Sequence, residues 1–307
     1  MYDLVIIGAG PAGCAAGVYA ARKKIKTALI TESFGGQSIT SMDIQNWIGE
    51  TTISGFDLAK KMEQHLKNYP EIDLHEGDSV IEIKKQTDGT FSITTKLGKA
   101  LQTKYIMLAT GSRRRKLAIP GEKEFDGRGV VYCATCDAPL FKDKEVVVVG
   151  GGNAALEAVV DLFHYAKKIY VAVRSTTLRG DEVTQEKVER HPNVEILYNT
   201  ELQEIKGTGS VQSVVIKNNQ TDATSTLAVQ GVFIEIGAVP NSEIVKGLVE
   251  INGAGEVVVD HRTQASSDPM VFAAGDVSDV LYKQNNISAG DAIKAVLSIE
   301  AKVHKGK

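Results

Sequence analysis

The feature that most restricts how this chain can fold is Gly8-Ala9-Gly10-Pro11-Ala12-Gly13, a G-x-G-x-x-G run set between an apolar strand and a helical stretch. Asp3 to Ile7 reads as a strand, Pro11 to about Lys23 as a helix, and Thr27 to Thr31 as a second strand. Strand, loop, helix and strand make a βαβ unit. The first glycine permits the tight turn, the second lets a pyrophosphate approach the backbone, and the third allows helix and strand to pack closely. The helix N-terminus then offers phosphates its unpaired N–H groups and the positive end of its dipole. The same order recurs downstream. Glu145 to Val149 is a strand, Gly150-Gly151-Gly152 a glycine loop, Asn153 to about Tyr165 a helix, and Ile169 to Val173 the closing strand. Here the motif is the G-x-G-x-x-A variant, with Gly150, Gly152 and Ala155. The loops begin 142 residues apart (150 − 8), too far for a solenoid repeat and right for two copies of a nucleotide-binding domain.

The residue that meets the adenosine ribose is expected about 20 positions past the third motif residue. For the first loop that is Glu32 (32 − 13 = 19), and for the second it is Arg174 (174 − 155 = 19). A carboxylate accepts from a free ribose 2′-OH and repels a 2′-phosphate, whereas an arginine welcomes the phosphate. The first site therefore suits FAD or NAD and the second NADPH, with Arg179 a further candidate phosphate contact.

At 307 residues the chain is long for one core. Between the loops, Val80 to Leu101 alternates like strands joined at Thr87-Asp88-Gly89, and Tyr105 to Leu108 reads as a buried strand. Candidate linkers are the basic stretch from Arg113 to Gly121 and the run Gly237-Ala238-Val239-Pro240-Asn241. Glu256 to Asp260 and Met270 to Ala274 read as strands, with a closing helix near Ala289 to Val303. The region after 241 resembles a continuation of the first domain, which makes the second domain an insertion. The net charge of −3 leaves no basic footprint for nucleic acid. No apolar run approaches a membrane span, and the N-terminus lacks the basic region and cleavage site of a signal peptide. A cytoplasmic location is expected.

Two of the three cysteines, Cys133 and Cys136, are spaced C-x-x-C, which in a reducing compartment reads as catalytic or metal-binding. Zinc needs a second Cys/His pair, and the six histidines are scattered, so no metal is expected. Cysteines three apart can face each other across one helical turn and close a small disulfide ring. The thiolate is the attacking form, and the adjacent Asp137 is placed to shuttle protons during exchange. With two nucleotide loops in the chain, the economical reading is a path from a nicotinamide through a flavin to this disulfide. Cys14 reads as a small packed side chain, and Trp47, the only tryptophan, as core, with Asn46 a candidate cofactor contact.

These residues resemble the low-molecular-weight thioredoxin reductases over almost the whole chain. The resemblance rests on the first glycine loop, Gly35-Gly36-Gln37, Ala109-Thr110-Gly111, Tyr132-Cys133-Ala134-Thr135-Cys136-Asp137, Gly150-Gly151-Gly152-Asn153, Phe272-Ala273-Ala274-Gly275-Asp276-Val277 and Tyr282-Lys283-Gln284. It implies an α/β fold of two Rossmann-like domains, a split FAD domain (1–114 and 242–307) with an NADPH domain (115–241) inserted and carrying the dithiol. It also implies a homodimer, and, as in other members of that family, a rotation of one domain against the other. Cys136 would face the flavin, Cys133 would exchange with a thioredoxin- or glutaredoxin-like protein, and Asp137 would be the acid–base residue. FAD would be held by Gly8, Gly10, Pro11, Ala12, Gly13, Glu32, Gly35, Gly36, Gln37, Asn46, Ala109, Thr110, Gly111 and Gly275. Asp276 would bond its ribityl chain, with Lys283, Gln284 and Asn285 near the ring. NADPH would be held by Gly150, Gly152, Asn153, Ala155, Arg174, Arg179 and Gly237, with Glu157 approaching the nicotinamide.

The family's NADPH signature is His-Arg-Arg-x-x-x-Arg, and here Val173-Arg174-Ser175-Thr176-Thr177-Leu178-Arg179 keeps two of its three arginines. Phe34-Gly35-Gly36-Gln37, Met42-Asp43-Ile44-Gln45-Asn46 and Lys206-Gly207-Thr208-Gly209-Ser210 also resemble the flavoprotein component of alkyl hydroperoxide reductase. That protein typically uses NADH and carries its own N-terminal thioredoxin-like domains. This chain begins at the FAD strand, so its disulfide acceptor is expected to be a separate protein. Two alternatives stand beside carrier reduction: an NADH-linked supply of electrons to a peroxidase through a carrier, and a flavin-bound sensor or a reductase with a non-nicotinamide donor.

Overall fold

The computed structural model describes residues 1–41 and 44–305. The chain forms two units, one of Met1–Met42, Trp47–Arg113 and Val239–Lys307, the other of Asp43–Asn46 and Arg114–Ala238. In the first unit, β1 (Tyr2–Ala9), α1 (Pro11–Arg22) and β2 (Thr27–Phe34) form the βαβ unit, followed by α2 (Gly55–Lys67) and β3 (Asp73–Glu76). A meander of β4 (Val80–Lys85), β5 (Phe91–Thr95) and the long β6 (Ala100–Leu108) comes next. β1, β2, β3 and the second half of β6 pair in parallel, whereas β5 runs antiparallel against the first half of β6 and β4 antiparallel against β5.

Side-chain alternation explains the layers. Leu4 and Ile6 of β1 pack into one apolar cluster with the small residues of α1, while Val5 and Ile7 pack into another with β4 to β6. All four are essentially without solvent exposure, so a strand buried on both faces is written as an unbroken apolar run. Each such side chain contributes about 1.5–3 kcal/mol by leaving water. Small residues let α1 lie close to its neighbours: a Cβ on Gly17 would fall 2.5 Å from Leu66 Cδ1 of α2 and 3.3 Å from Leu29 Cδ1 of β2.

The chain leaves through β7 (Ser112–Arg114) and builds the second unit. Its elements are β8 (Val130–Val131), the single turn α3 (Ala134–Asp137), β9 (Glu145–Val149), α4 (Asn153–Leu162), β10 (Lys168–Val173), α5 (Glu182–Arg190) and β11 (Val194–Tyr198). β12 (Thr200–Thr208), β13 (Ser210–Asn218) and β14 (Thr224–Ala228) form an antiparallel sheet of their own. β15 (Gly231–Ile234) returns to complete a five-stranded parallel sheet in the order β11-β10-β9-β15-β8. Val146 and Val148 face α4, and Val147 and Val149 face the β12–β14 layer, repeating the two-sided burial of β1. Both units are therefore three-layered α/β folds of Rossmann type.

The chain returns through β16 (Ala238–Pro240), which pairs with β7. Asn241 then ties the two halves of the first unit together. Its Nδ2 donates to the Thr110 carbonyl, and its own carbonyl accepts from Thr110 Oγ1, both at 2.8 Å. β17 (Val271–Ala273) pairs with β6, and α6 (Asn285–Lys305) closes the chain.

The structure corrects several expectations. Glu256 to Asp260 is no strand: the N–H groups of Val257, Val258 and Asp260 bond to Val277, Glu250 and Ala265, three separate segments, so no ladder forms. The closing helix starts at Asn285, four residues early, and Trp47 is half-buried rather than core. Among the described residues no helix is long and apolar enough to cross a membrane.

Candidate nucleotide and dithiol sites

In the first unit the glycine loop opens a cavity of about 580 Å³ between the ends of β1, β2 and β6 and the start of α6. Gly8 holds φ +102°, and a Cβ there would fall 2.4 Å from the Ala109 carbonyl oxygen. Gly10 is different. It is the N-cap of α1, and the nearest atom to a Cβ built on it is 3.8 Å away, so its backbone faces open room. α1 has no side-chain cap, whereas α2 and α5 are capped by Ser54 and Asp181. An uncapped helix start beside an open glycine is the donor set a pyrophosphate needs.

Gly8, Gly10, Pro11, Ala12, Glu32, Gly36, Gln37, Ala109, Thr110, Gly111, Gly275, Asp276 and Asn285 line this cavity. Gln37 Nε2 donates to Ser112 Oγ (2.9 Å) and Asp276 Oδ2 (3.2 Å), and Ser112 Oγ donates to the same carboxylate oxygen (3.2 Å). Ser38 Oγ donates to Asn285 Oδ1 at 2.9 Å. Gly13 and Gly35 stand behind the lining as packing residues, where a Cβ would fall 1.8 Å from the Gly8 oxygen and 2.5 Å from Ala59 Cβ. Asn46 and Gln284 are not in the lining, and Asn46 clusters with the second unit. The Lys283 ammonium is committed to Glu256 at 2.9 Å and to the carbonyls of Asp276 and Ser278. Met42 and Asp43 of the expected motif lie outside the described residues. The sequence reading missed Ser112, Asp78 and Asn241, which also line the cavity. They carry no motif, and only Ser112, directly after Ala109-Thr110-Gly111, had a positional signal.

The second unit repeats the loop geometry. Gly150 holds φ +141°, with a Cβ position 2.4 Å from the Glu235 carbonyl oxygen, and nothing lies within 4 Å of a Cβ on Gly152, the N-cap of α4. α4 likewise has no side-chain cap. Ala155 is fully buried, and Asn153 Oδ1 accepts from the Asp181 N–H at 2.7 Å. Glu157, Arg179 and Gly237 are exposed. Arg174 directly follows β10 and is also exposed, and neither it nor Arg179 forms an ion pair among the described residues.

In the same unit Cys133 and Cys136 form a disulfide, with Cα atoms 5.4 Å apart. Tyr132 pins the approach by donating its hydroxyl to Glu122 at 3.0 Å, with Lys116 Nζ 3.7 Å from its ring centre. Cys133 is the extended N-cap of α3, and its carbonyl accepts from the N–H groups of Cys136 (3.3 Å) and Asp137 (3.0 Å). Buried Ala134 and Ala138 seat the turn against the α4 core, and Thr135 Oγ1 donates to Asp161 Oδ2 at 2.9 Å. Burial pushes the Asp137 carboxyl up to about 7, against the lowering effect of Arg114. A carboxyl titrating there can both give and take a proton at neutral pH. Cys14 lies buried in the other unit, where burial and then Glu63 push its thiol up to about 12. A thiol held protonated in this way is a packing residue.

Residues 2–293 match the pyridine nucleotide-disulphide oxidoreductase family. The chain is 40% identical over 300 residues to an alkyl hydroperoxide reductase component of Pseudomonas putida, covering 97% of this chain and 57% of that protein. It is 39% identical over 296 residues to an NADH dehydrogenase of Bacillus subtilis, covering 96% and 57%. It therefore spans little more than half the length of these curated relatives. Among solved structures, a thioredoxin reductase from Streptococcus pyogenes superposes with a TM-score of 0.93 at 34% identity, covering 99% of each chain.

Proposed function

The chain belongs to the pyridine nucleotide-disulphide oxidoreductase family, and on that premise we propose that it passes electrons from NADPH through FAD and the Cys133–Cys136 dithiol to the disulfide of a thioredoxin- or glutaredoxin-like protein. Family membership makes it an oxidoreductase and implies FAD and a nicotinamide nucleotide as its cofactors. The observation that carries the proposal is the Cys133–Cys136 disulfide at the start of α3, beside a carboxyl raised to about 7. FAD would be held by the lining of the first cavity, its pyrophosphate at Gly10 and the α1 N-terminus and its ribose at Glu32. When bound, it supplies the relay that accepts two electrons from a nicotinamide and passes them on to sulfur.

The chain's own residues do the rest. Asp276 and Gln37, bonded to each other and to Ser112, present a fixed polar edge to the cofactor. Cys133 attacks the partner disulfide as a thiolate, Cys136 resolves the mixed disulfide, and Asp137 protonates the departing thiolate. The enzyme works as a cytoplasmic homodimer, with residues 1–114 and 242–307 holding FAD and 115–241 the nicotinamide.

NADPH is favoured as donor by exposed Arg174, directly after β10, and exposed Arg179 in the loop that follows. A second reading, NADH-linked supply of a peroxidase through a carrier, is favoured by Ser175 in the arginine signature and by the similarity to the alkyl hydroperoxide reductase component and the NADH dehydrogenase. Anaerobic titration of the flavin-loaded protein with NADPH and then NADH tests the donor, and bleaching of the flavin by neither would overturn it. Disulfide reduction with purified carriers, with and without a peroxidase, separates the acceptors. Cys133→Ser should abolish carrier reduction and leave flavin bleaching intact, and retained carrier turnover would show the exchange role misassigned.

A further inference from the structure

Glu235 directly follows β15, and the dithiol chemistry does not use it. Its main chain is fixed by the sheet: its N–H donates to the Val149 carbonyl at 2.9 Å, and its own carbonyl oxygen lies against Gly150 of the second glycine loop. With the backbone held, the side chain turns toward the dithiol, where Oε1 accepts from the Ala134 N–H at 3.2 Å. That nitrogen belongs to the peptide bond joining Cys133 to Ala134. A half-buried carboxylate therefore touches the main chain between the two cysteines, 98 residues (235 − 137) beyond the end of α3.

We propose that Glu235 is a positioning residue of the dithiol turn, which holds the Ala134 N–H and sets one negative charge beside the sulfur pair, so that a thiolate there and an ionised Glu235 compete. The proposal rests on the dithiol reading above. A purely structural acceptor for one N–H would be served by an uncharged amide, whereas a carboxylate in this place carries a desolvation cost. The surroundings fit a charge that comes and goes. Arg114 of β7 is the cation acting on it, Asp137 of α3 and Asp161 of α4 are the anions, and β15 itself carries no charged residue. Burial pushes the Glu235 carboxyl up to about 7, Arg114 and the Ala134 N–H oppose that, and Asp137 and Asp161 add to it. Opening the Cys133–Cys136 bond takes up two electrons, supplied by the donor path, and two protons, to leave two thiols. When one thiol then loses its proton, a carboxylate beside it opposes the new charge.

The test is thiol reactivity of the full, flavin-loaded chain. The disulfide is reduced with dithiothreitol under anaerobic conditions, and alkylation of Cys133 and Cys136 by iodoacetamide is timed by mass spectrometry from pH 5 to 9. Glu235→Gln keeps an acceptor for Ala134 and removes the charge. Because Glu235 is ionised only above about pH 7, the variant's alkylation should be up to about tenfold faster between about pH 7 and 9, a shift of about one unit, and should match the unaltered protein near pH 5. Glu235→Ala also lacks the charge and gives the same readout should the glutamine variant fail to bind flavin. A charge-free variant whose profile overlays that of the unaltered protein overturns the proposal. The readout needs neither nicotinamide nor carrier, so a wrong donor or partner leaves it standing. A wrong dithiol reading shows separately, as alkylation of both cysteines before any reductant is added.

Discussion

Replacing Asp137 with Asn tests the acid–base half of the site most directly. With its carboxyl raised from 3.8 to about 7, Asp137 is about half protonated at pH 7, whereas an ordinary aspartate would keep its proton in only about one molecule in 1,600. Burial thus enlarges the pool of proton donors at neutral pH by about 800-fold. The sign follows from the raised value: the acid form is complete well below pH 7 and falls about tenfold per unit above it. Steps that draw on this proton should slow as pH rises through about 7. Asp137→Asn preserves shape and removes the transferable proton, so carrier-disulfide reduction at pH 7 should fall by about 10²-fold or more, the usual range for a general acid. The alkaline limb near 7 should vanish with it. Because Asp137 also raises Glu235, the variant should let the Glu235 carboxyl ionise at lower pH. The assay is steady-state carrier reduction from pH 5.5 to 9, beside stopped-flow bleaching of the flavin by nicotinamide, which should keep its rate. Unchanged turnover with the same limb would refute the proton-donor reasoning.

Arg174→Ala should raise KM for NADPH by about 10- to 100-fold while barely moving that for NADH, since a charge-assisted phosphate contact is worth about 1.5–3 kcal/mol; equal effects on both would show that Arg174 meets no 2′-phosphate. Gly13→Ala forces a Cβ to within 1.8 Å of the Gly8 carbonyl oxygen, so the loop must deform at a cost of about 1–3 kcal/mol or more. The purified variant should lose most of its bound flavin, measured as the ratio of visible to protein absorbance. A full flavin complement would mean the loop adjusts without harm to the site.

Several parts of this protein were legible in the sequence because they are local. The two glycine loops follow from turn sterics and helix N-terminal geometry, which need only neighbours within one βαβ unit. The positions of Glu32 in β2 and Arg174 directly after β10 were reached by counting, because a strand end, a loop and a helix have nearly fixed lengths. The unbroken apolar runs of β1 and β9 likewise announce burial on both faces of a sheet. The β12–β14 sheet was invisible, since its partly exposed strands mix charged and apolar residues without a clean period. Glu256 to Asp260 misled for the converse reason: its β-branched residues favour extended backbone, but a strand needs one continuous partner, and that choice belongs to the whole chain.

The dithiol spacing was written in four consecutive residues, but its setting was not. Arg114, Asp137, Asp161 and Glu235 come from four separate stretches of the chain, and no motif links them. They converge because β15 inserts beside β9 and next to β8, which carries Glu235 to the turn that follows β8. Desolvation and the balance of nearby charges set the carboxyl titrations near 7, and both are properties of the packed structure. The chemistry of the sulfur pair could therefore be read residue by residue, whereas the electrostatics that govern it arose only when distant segments were buried together.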